Sequence, residues 1–185
     1  MSPGDAPPTV LIVEDEQHLA DLYTDYLVDS YDVRTAYSGE AGIEQLSEDV
    51  DVVLLDRRMP VVSGNQVLAE IEEQSLPCRV AMVTAVNPDF DILEMGVDDY
   101  LVKPVTRAEL TDVVDRLRKV ASYNEQLQAL TTRKLKRNVL QVEKTETELQ
   151  ESQRYRELQR EIDEIAERVD ELAADLDVEE KDLPL

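Results

Sequence analysis

Up to residue 120 the chain alternates short apolar runs with longer amphipathic stretches. Residues 10–13 are an apolar run that predicts a strand. Residues 16–28 place Leu19, Leu22, Tyr23, Tyr26 and Leu27 at helical spacing. A weaker strand follows at 32–37, and Ser38 is placed to cap a helix with Ile43 and Leu46 turned inward. Residues 50–55, five apolar positions around Asp51, predict a third strand, and 63–74 a helix. Residues 79–83 predict a fourth strand, 88–95 a short, poorly periodic helix ending at Gly96, and 100–102 a fifth strand. Thr106, with Glu109 three residues on, forms a capping box that opens the next helix. Apolar strands with little alternation imply a parallel sheet covered on both faces. Five β-α units therefore predict an α/β fold with a five-stranded doubly wound parallel sheet.

Beyond this point the punctuation stops. All five Gly precede residue 97, seven of the eight Pro lie at or before Pro104, and the eighth is Pro184. Residues 105–183 thus contain no helix breaker and read as a nearly continuous, partly coiled-coil, all-helical extension. Leu158, Ile162, Ile165, Val169, Leu172 and Leu176 step by 4, 3, 4, 3 and 4, which is an a/d seam. Upstream, Leu127, Leu130, Leu135, Val139 and Val142 make a looser stripe, and 145–154 is the expected bend. A helix with one bare apolar stripe needs a partner surface. Two arrangements provide one: an intrachain hairpin, or a homodimer through the 158–176 seam. The expected organisation is a disordered leader at 1–8, an α/β domain at 9–120, a helical domain at 121–180 and a tail at 181–185.

Charge narrows the function classes. Lys and Arg total 19 and Asp and Glu 42 among 185 residues, a net charge of −23. Such a field repels phosphates, which argues against a general binder of nucleic acids or anionic membranes. The carboxylates are dense and Lys is scarce, a composition resembling that of proteins from salt-loving organisms, where concentrated salt screens self-repulsion. One Cys excludes an intrachain disulfide. The bland reading of Cys78 is a buried small apolar residue. There is no apolar run of about 18 residues, so no membrane span is expected. The start, MSPGDAPP, has no signal-peptide pattern, so a cytoplasmic protein is expected. Seven Tyr, one Phe and no Trp leave an aliphatic core.

In a doubly wound sheet, sites form at the carboxyl ends of the strands. Strand one ends in Glu14-Asp15, strand three in Asp56, strand four in Thr84 and strand five in Lys103-Pro104. Three carboxylates, a hydroxyl and an ammonium then converge on one edge. Three carboxylates repel one another unless a cation neutralises them, and hard oxygen ligands favour Mg²⁺. A carboxylate can also attack phosphorus to form an aspartyl phosphate. Lys103 and a metal would neutralise charge on the transferring group, and Thr84 could hydrogen-bond one of its oxygens.

These residues carry a resemblance. VLIVEDE, VVLLDRRMP, AMVTA and DYLVKPV resemble the flavodoxin-like receiver domain of two-component response regulators, over residues 9–120. The spacings from Asp15 to Asp56, on to Thr84 and on to Lys103 are 41, 28 and 19 residues. The resemblance implies that Asp56 is the phosphoacceptor. It implies that Asp15, Asp56 and the backbone carbonyl of Arg58 hold Mg²⁺, with Glu14 acting more through water. It makes Thr84 the switch hydroxyl, Lys103 the phosphoryl contact, Lys103-Pro104 a cis bond, and Tyr100 the aromatic that turns inward on activation. Arg57 and Arg58 are less usual after the phosphoacceptor, and Arg58 could approach the phosphoryl group or the attacking water. The implied donor is a sensor histidine kinase, and the chain would catalyse only its own phosphorylation and dephosphorylation. A phosphatase of the same sheet class usually carries a second Asp two residues after the nucleophile, where this chain has Arg58. His18, the only histidine, cannot form a metal cluster or a triad alone and reads as solvated.

The helical part resembles the HalX domain of haloarchaeal regulators, which implies a regulatory output in transcription. Within it, Arg133, Lys134, Lys136 and Arg137 fall on one 160° face at 100° per residue. Two readings stay open: phosphate contact with DNA or RNA, or a solvated face paired with nearby acids. The alternative output is a phospho-dependent adaptor that binds protein and not DNA.

Overall fold

The computed structural model describes residues 7–181. The expected leader and tail fall largely outside them. Five strands form one parallel sheet: β1 (Thr9–Val13), β2 (Asp32–Ala36), β3 (Val52–Leu55), β4 (Arg79–Thr84) and β5 (Asp99–Val102), in the order β2-β1-β3-β4-β5. The order reverses at β1, where Val13 pairs with Ala36 on one side and Leu55 on the other. Burial on both faces explains why the central strands β1 and β3 are almost wholly apolar. Val10 and Ile12 face one layer while Leu11 and Val13 face the other, and all four are buried. The first layer is built on α1 (Gln17–Leu27) and the start of α4 (Arg107–Glu143), through Tyr23, Leu27, Leu110, Val113, Val114 and Leu117. The second is built on α2 (Gly39–Gln45) and α3 (Gly64–Glu73), through Val67, Leu68 and Ile71. The core is aliphatic, and Cys78 is buried within it.

Local chemistry sets the helix starts. Ser38 Oγ accepts from Ala41 N at 3.1 Å. Thr106 and Glu109 bond reciprocally, Thr106 N donating to Glu109 Oε2 at 2.8 Å and Glu109 N to Thr106 Oγ1 at 3.3 Å. The helix expected at 88–95 is a correction: only a 3₁₀ turn, Phe90–Leu93, forms there. Phe90 is 85% and Leu93 81% exposed, so the segment has no buried apolar face to hold a longer helix.

The boundary between two compact units falls between Arg118 and Lys119. In the second unit α4 ends at Glu143. A short α5 (Glu146–Glu151) fills the expected bend, and α6 (Gln153–Lys181) follows. A capping box of Thr145 and Glu148, not anticipated, starts α5. The part of the seam from Leu158 to Val169 packs inside the chain, as in the hairpin arrangement. Ile162 and Val169 bury against Leu130, with Tyr123, Leu158, Ile165 and Ala166 around them. The upstream stripe contributes less than expected. Leu135, Val139 and Val142 are 61%, 62% and 83% exposed. Among the described residues no helix is long and apolar enough to cross a membrane.

Candidate functional site

The sheet delivers its polar strand ends to one place. Asp56 N donates to Val13 O at 2.9 Å, continuing the β1–β3 ladder one residue past the strands and setting Asp56 beside Glu14 and Asp15. Carboxylate oxygens of Glu14, Asp15 and Asp56 lie within 4.8 Å of one another. Glu14 is 2% and Asp56 7% exposed. Burying two like charges this closely is costly without a counter-charge. Lys103 supplies one, donating from Nζ to Glu14 Oε2 at 2.6 Å and to Asp56 Oδ2 at 3.1 Å. The preceding chain brings Lys103 in: its N–H bonds Thr84 O at 2.9 Å, and a cis Lys103-Pro104 bond follows.

The electrostatics show a site short of positive charge. Burial pushes the Glu14 carboxyl up; the Lys103 hydrogen bond and charge pull it back only in part, and Asp56 pushes it further up. Burial pulls the Lys103 ammonium down, but contact with Glu14 and Asp56 outweighs this and the net shift is upward. One ammonium thus pairs with two of the three carboxylates. An all-oxygen, three-carboxylate donor set with Asp15 half-buried at its mouth fits a hard divalent cation. Backbone donors also serve the cluster: Glu16 N reaches Glu14 Oε1 at 3.1 Å and Arg58 N reaches Asp56 Oδ1 at 3.4 Å.

Thr84, 1% exposed, ends β4. Its Oγ1 accepts from Val86 N at 3.4 Å, while the Tyr100 hydroxyl donates to Val86 O at 2.8 Å. The Val86 residue is thus held from both sides by the two expected switch residues. Tyr100 is half-buried against the second core layer.

One member went unread in the sequence. Arg57, not Arg58, is the arginine tied into the structure: its guanidinium pairs with Asp91 and meets Tyr100, while Arg58 is exposed. The partners are 34 residues apart and Asp91 sits in the segment misread as a helix, so no local pattern signals the pair. Asp91 first and then Tyr100 hold the Arg57 guanidinium charged. Away from the sheet, the basic cluster is partly consumed. Arg133 Nε donates to Glu161 Oε2 at 2.8 Å, and Arg137 donates to its neighbour Asn138 Oδ1 at 3.4 Å. Lys134 and Lys136 are exposed, as is His18.

A flavodoxin-like parallel sheet whose switch edge carries buried carboxylates and a lysine is the architecture of a receiver-type domain. Residues 10–115 match the response regulator receiver domain, and residues 119–183 match the HalX domain. The chain belongs to the response regulator receiver family. It is 52% identical over 113 residues to a Haloferax volcanii protein whose name proposes a transcriptional regulator, covering 60% of this chain and 19% of that protein. It is 44% identical over 106 residues to the transcriptional regulatory protein CutR of Streptomyces coelicolor, covering 55% of this chain and 49% of CutR. The chain therefore spans half or less of the length of these relatives. The response regulator protein TrrA of Thermotoga maritima, solved in complex with Mg²⁺ and BeF, superposes with a TM-score of 0.55. That match has 30% identity and covers 60% of this chain and 98% of TrrA.

Proposed function

We propose that this chain is a two-component response regulator that takes a phosphoryl group onto Asp56 from the phosphohistidine of a sensor kinase. The observation that carries this reading is the Lys103 bridge between Glu14 and Asp56. An Asp56 carboxylate held beside an ammonium is a nucleophile with a counter-charge ready for its product. Asp56 Oδ attacks phosphorus, the P–O bond forms as the P–N bond breaks, and the imidazole leaves with the bond pair. Lys103 then meets the phosphoryl oxygens, and Arg58 N–H, already directed at Asp56, is positioned for another. Glu14, Asp15 and Asp56, with the Arg58 carbonyl, would hold Mg²⁺, which supplies neutralising charge at the transferring group. The chemistry is confined to the chain's own Asp56.

Thr84 and Tyr100 carry the switch. A phosphoryl oxygen competes for the Thr84 hydroxyl that now accepts from Val86 N–H. Freeing that N–H loosens the Val86 backbone, which Tyr100 grips by its carbonyl. The state of Asp56 thereby reaches the β4–β5 segment. The helical output acts in transcriptional regulation, in line with the names of the two relatives. A second reading, an adaptor that binds protein and not DNA, is favoured by the pairing of Arg133 with Glu161, which ties one of the four basic groups to a carboxylate at the surface.

Mg²⁺ titration by calorimetry tests the site. Wild type is expected to bind, and Asp15→Asn to bind roughly ten-fold or more weakly, since it loses an anionic ligand. Equal affinity in the two proteins would remove Asp15 from the metal site.

A further inference from the structure

The second unit leaves one face of α4 bare, and that face is chemically odd. At 100° per residue, Asn124, Gln128, Thr131, Leu135, Val139 and Val142 lie within 40° of Leu135. Between residues 121 and 143 no charged residue falls within 60° of it on either side, in a chain where 33% of residues are charged. Leu135, Val139 and Val142 are 61%, 62% and 83% exposed, and Asn124, Gln128 and Thr131 are exposed as well. This is not the hairpin face: Tyr123 and Leu130, which pack on α6, sit 120–140° away around the helix.

We propose that this face pairs in parallel with the same face of a second copy of the chain. The argument for a second copy is electrostatic. In a parallel two-fold pairing each residue lies near its own counterpart, so any carboxylate on the face would meet a carboxylate. A chain of net charge −23 can approach itself closely only across a surface from which charge is absent. A different partner would be chosen by basic groups complementing the acidic surplus, and this face offers them nothing. The direction follows from the order of side chains. Polar positions (Asn124, Gln128, Thr131) come first and aliphatic ones (Leu135, Val139, Val142) last. Parallel pairing sets aliphatic on aliphatic and amide on amide, and each amide carries both donor and acceptor for its twin. Antiparallel pairing over the same length would cover amides with Leu and Val. The α6 seam stays in its hairpin, so the assembly is a four-helix arrangement rather than an opened one.

The test is sedimentation of the full chain in molar and in dilute salt, with cysteine cross-linking. The native Cys78 thiol is buried and its pKa pushed up to about 11 by that burial, so an engineered thiol dominates the reaction. The proposal expects a dimer strengthened by salt. It expects ten-fold or greater weakening in the Leu135→Glu, Val142→Glu double variant with unchanged helix content and Asp56 labelling. It expects oxidative cross-linking of Gln128→Cys but not of the exposed α6 control Glu164→Cys. Cross-linking at the exposed Gln128 site decides the matter even where the double variant fails to fold. A monomer at every concentration and salt, a dimer indifferent to the double variant, or cross-linking at Glu164→Cys without Gln128→Cys would overturn it.

Discussion

Gly64 is the residue on which Asp56 leans. A Cβ built there would come 2.2 Å from the Asp56 carbonyl oxygen and 2.9 Å from the Arg57 Cα, both main-chain atoms of the turn after β3. The Gly64 N–H also donates to Arg57 O at 3.0 Å, so α3 starts in direct contact with the turn. Gly64→Ala must push that backbone away. It is expected to cost ~1–3 kcal/mol of stability, as overpacking does, and to slow labelling of Asp56 beyond what the lost stability explains. Thermal melts and labelling rates at a temperature where the variant is fully folded check this. A variant that melts and labels like wild type would show that the turn accommodates a methyl group freely.

Among elements, the start of α4 is tied to the turn before β2 by a part-buried hydrogen bond. Tyr31, just before β2, donates its hydroxyl to Asp115 Oδ1 at 2.5 Å. Burial first, and the Asp115 hydrogen bond second, push the Tyr31 hydroxyl well above its ordinary pKa. A tyrosine raised on folding favours the neutral form. Its contribution is fully present below the unfolded value of about 10 and is lost as pH rises past it. Tyr31→Phe is expected to cost about 1 kcal/mol near neutral pH, and the gap between the two proteins should close above pH 10. Denaturant melts of both proteins from pH 7 to pH 11 measure it. A gap that stays constant or widens with pH would contradict the assignment. The same scale shows where sequence reading stops. The strands were legible because burial on both faces leaves little choice but Val, Ile and Leu. The caps at Ser38 and Thr106 were legible because they are local. The 88–95 segment was not, since its Phe90 and Leu93 are apolar yet exposed, and apolar residues alone suggested a helix.

For the whole molecule, Glu14, Asp15, Asp56, Thr84 and Lys103 could be grouped from sequence because a parallel sheet carries every strand end to one edge. The Arg57–Asp91 pair could not, being a contact between a loop and a 3₁₀ turn 34 residues on. The 158–176 seam was legible as a seam, but its partner was not: heptad spacing states that a face must be covered, not by what. The charge-free face of α4 emerged only once the hairpin showed which side of that helix was already occupied. The central claim, phosphoryl acceptance by Asp56, meets its most direct test in one measurement. Wild type and Asp56→Asn are incubated with acetyl phosphate, with Mg²⁺ and with the metal chelated, and read by intact mass. The account predicts a single phosphoryl adduct on wild type with Mg²⁺, little without it, and none on Asp56→Asn; an undiminished adduct on Asp56→Asn would contradict it.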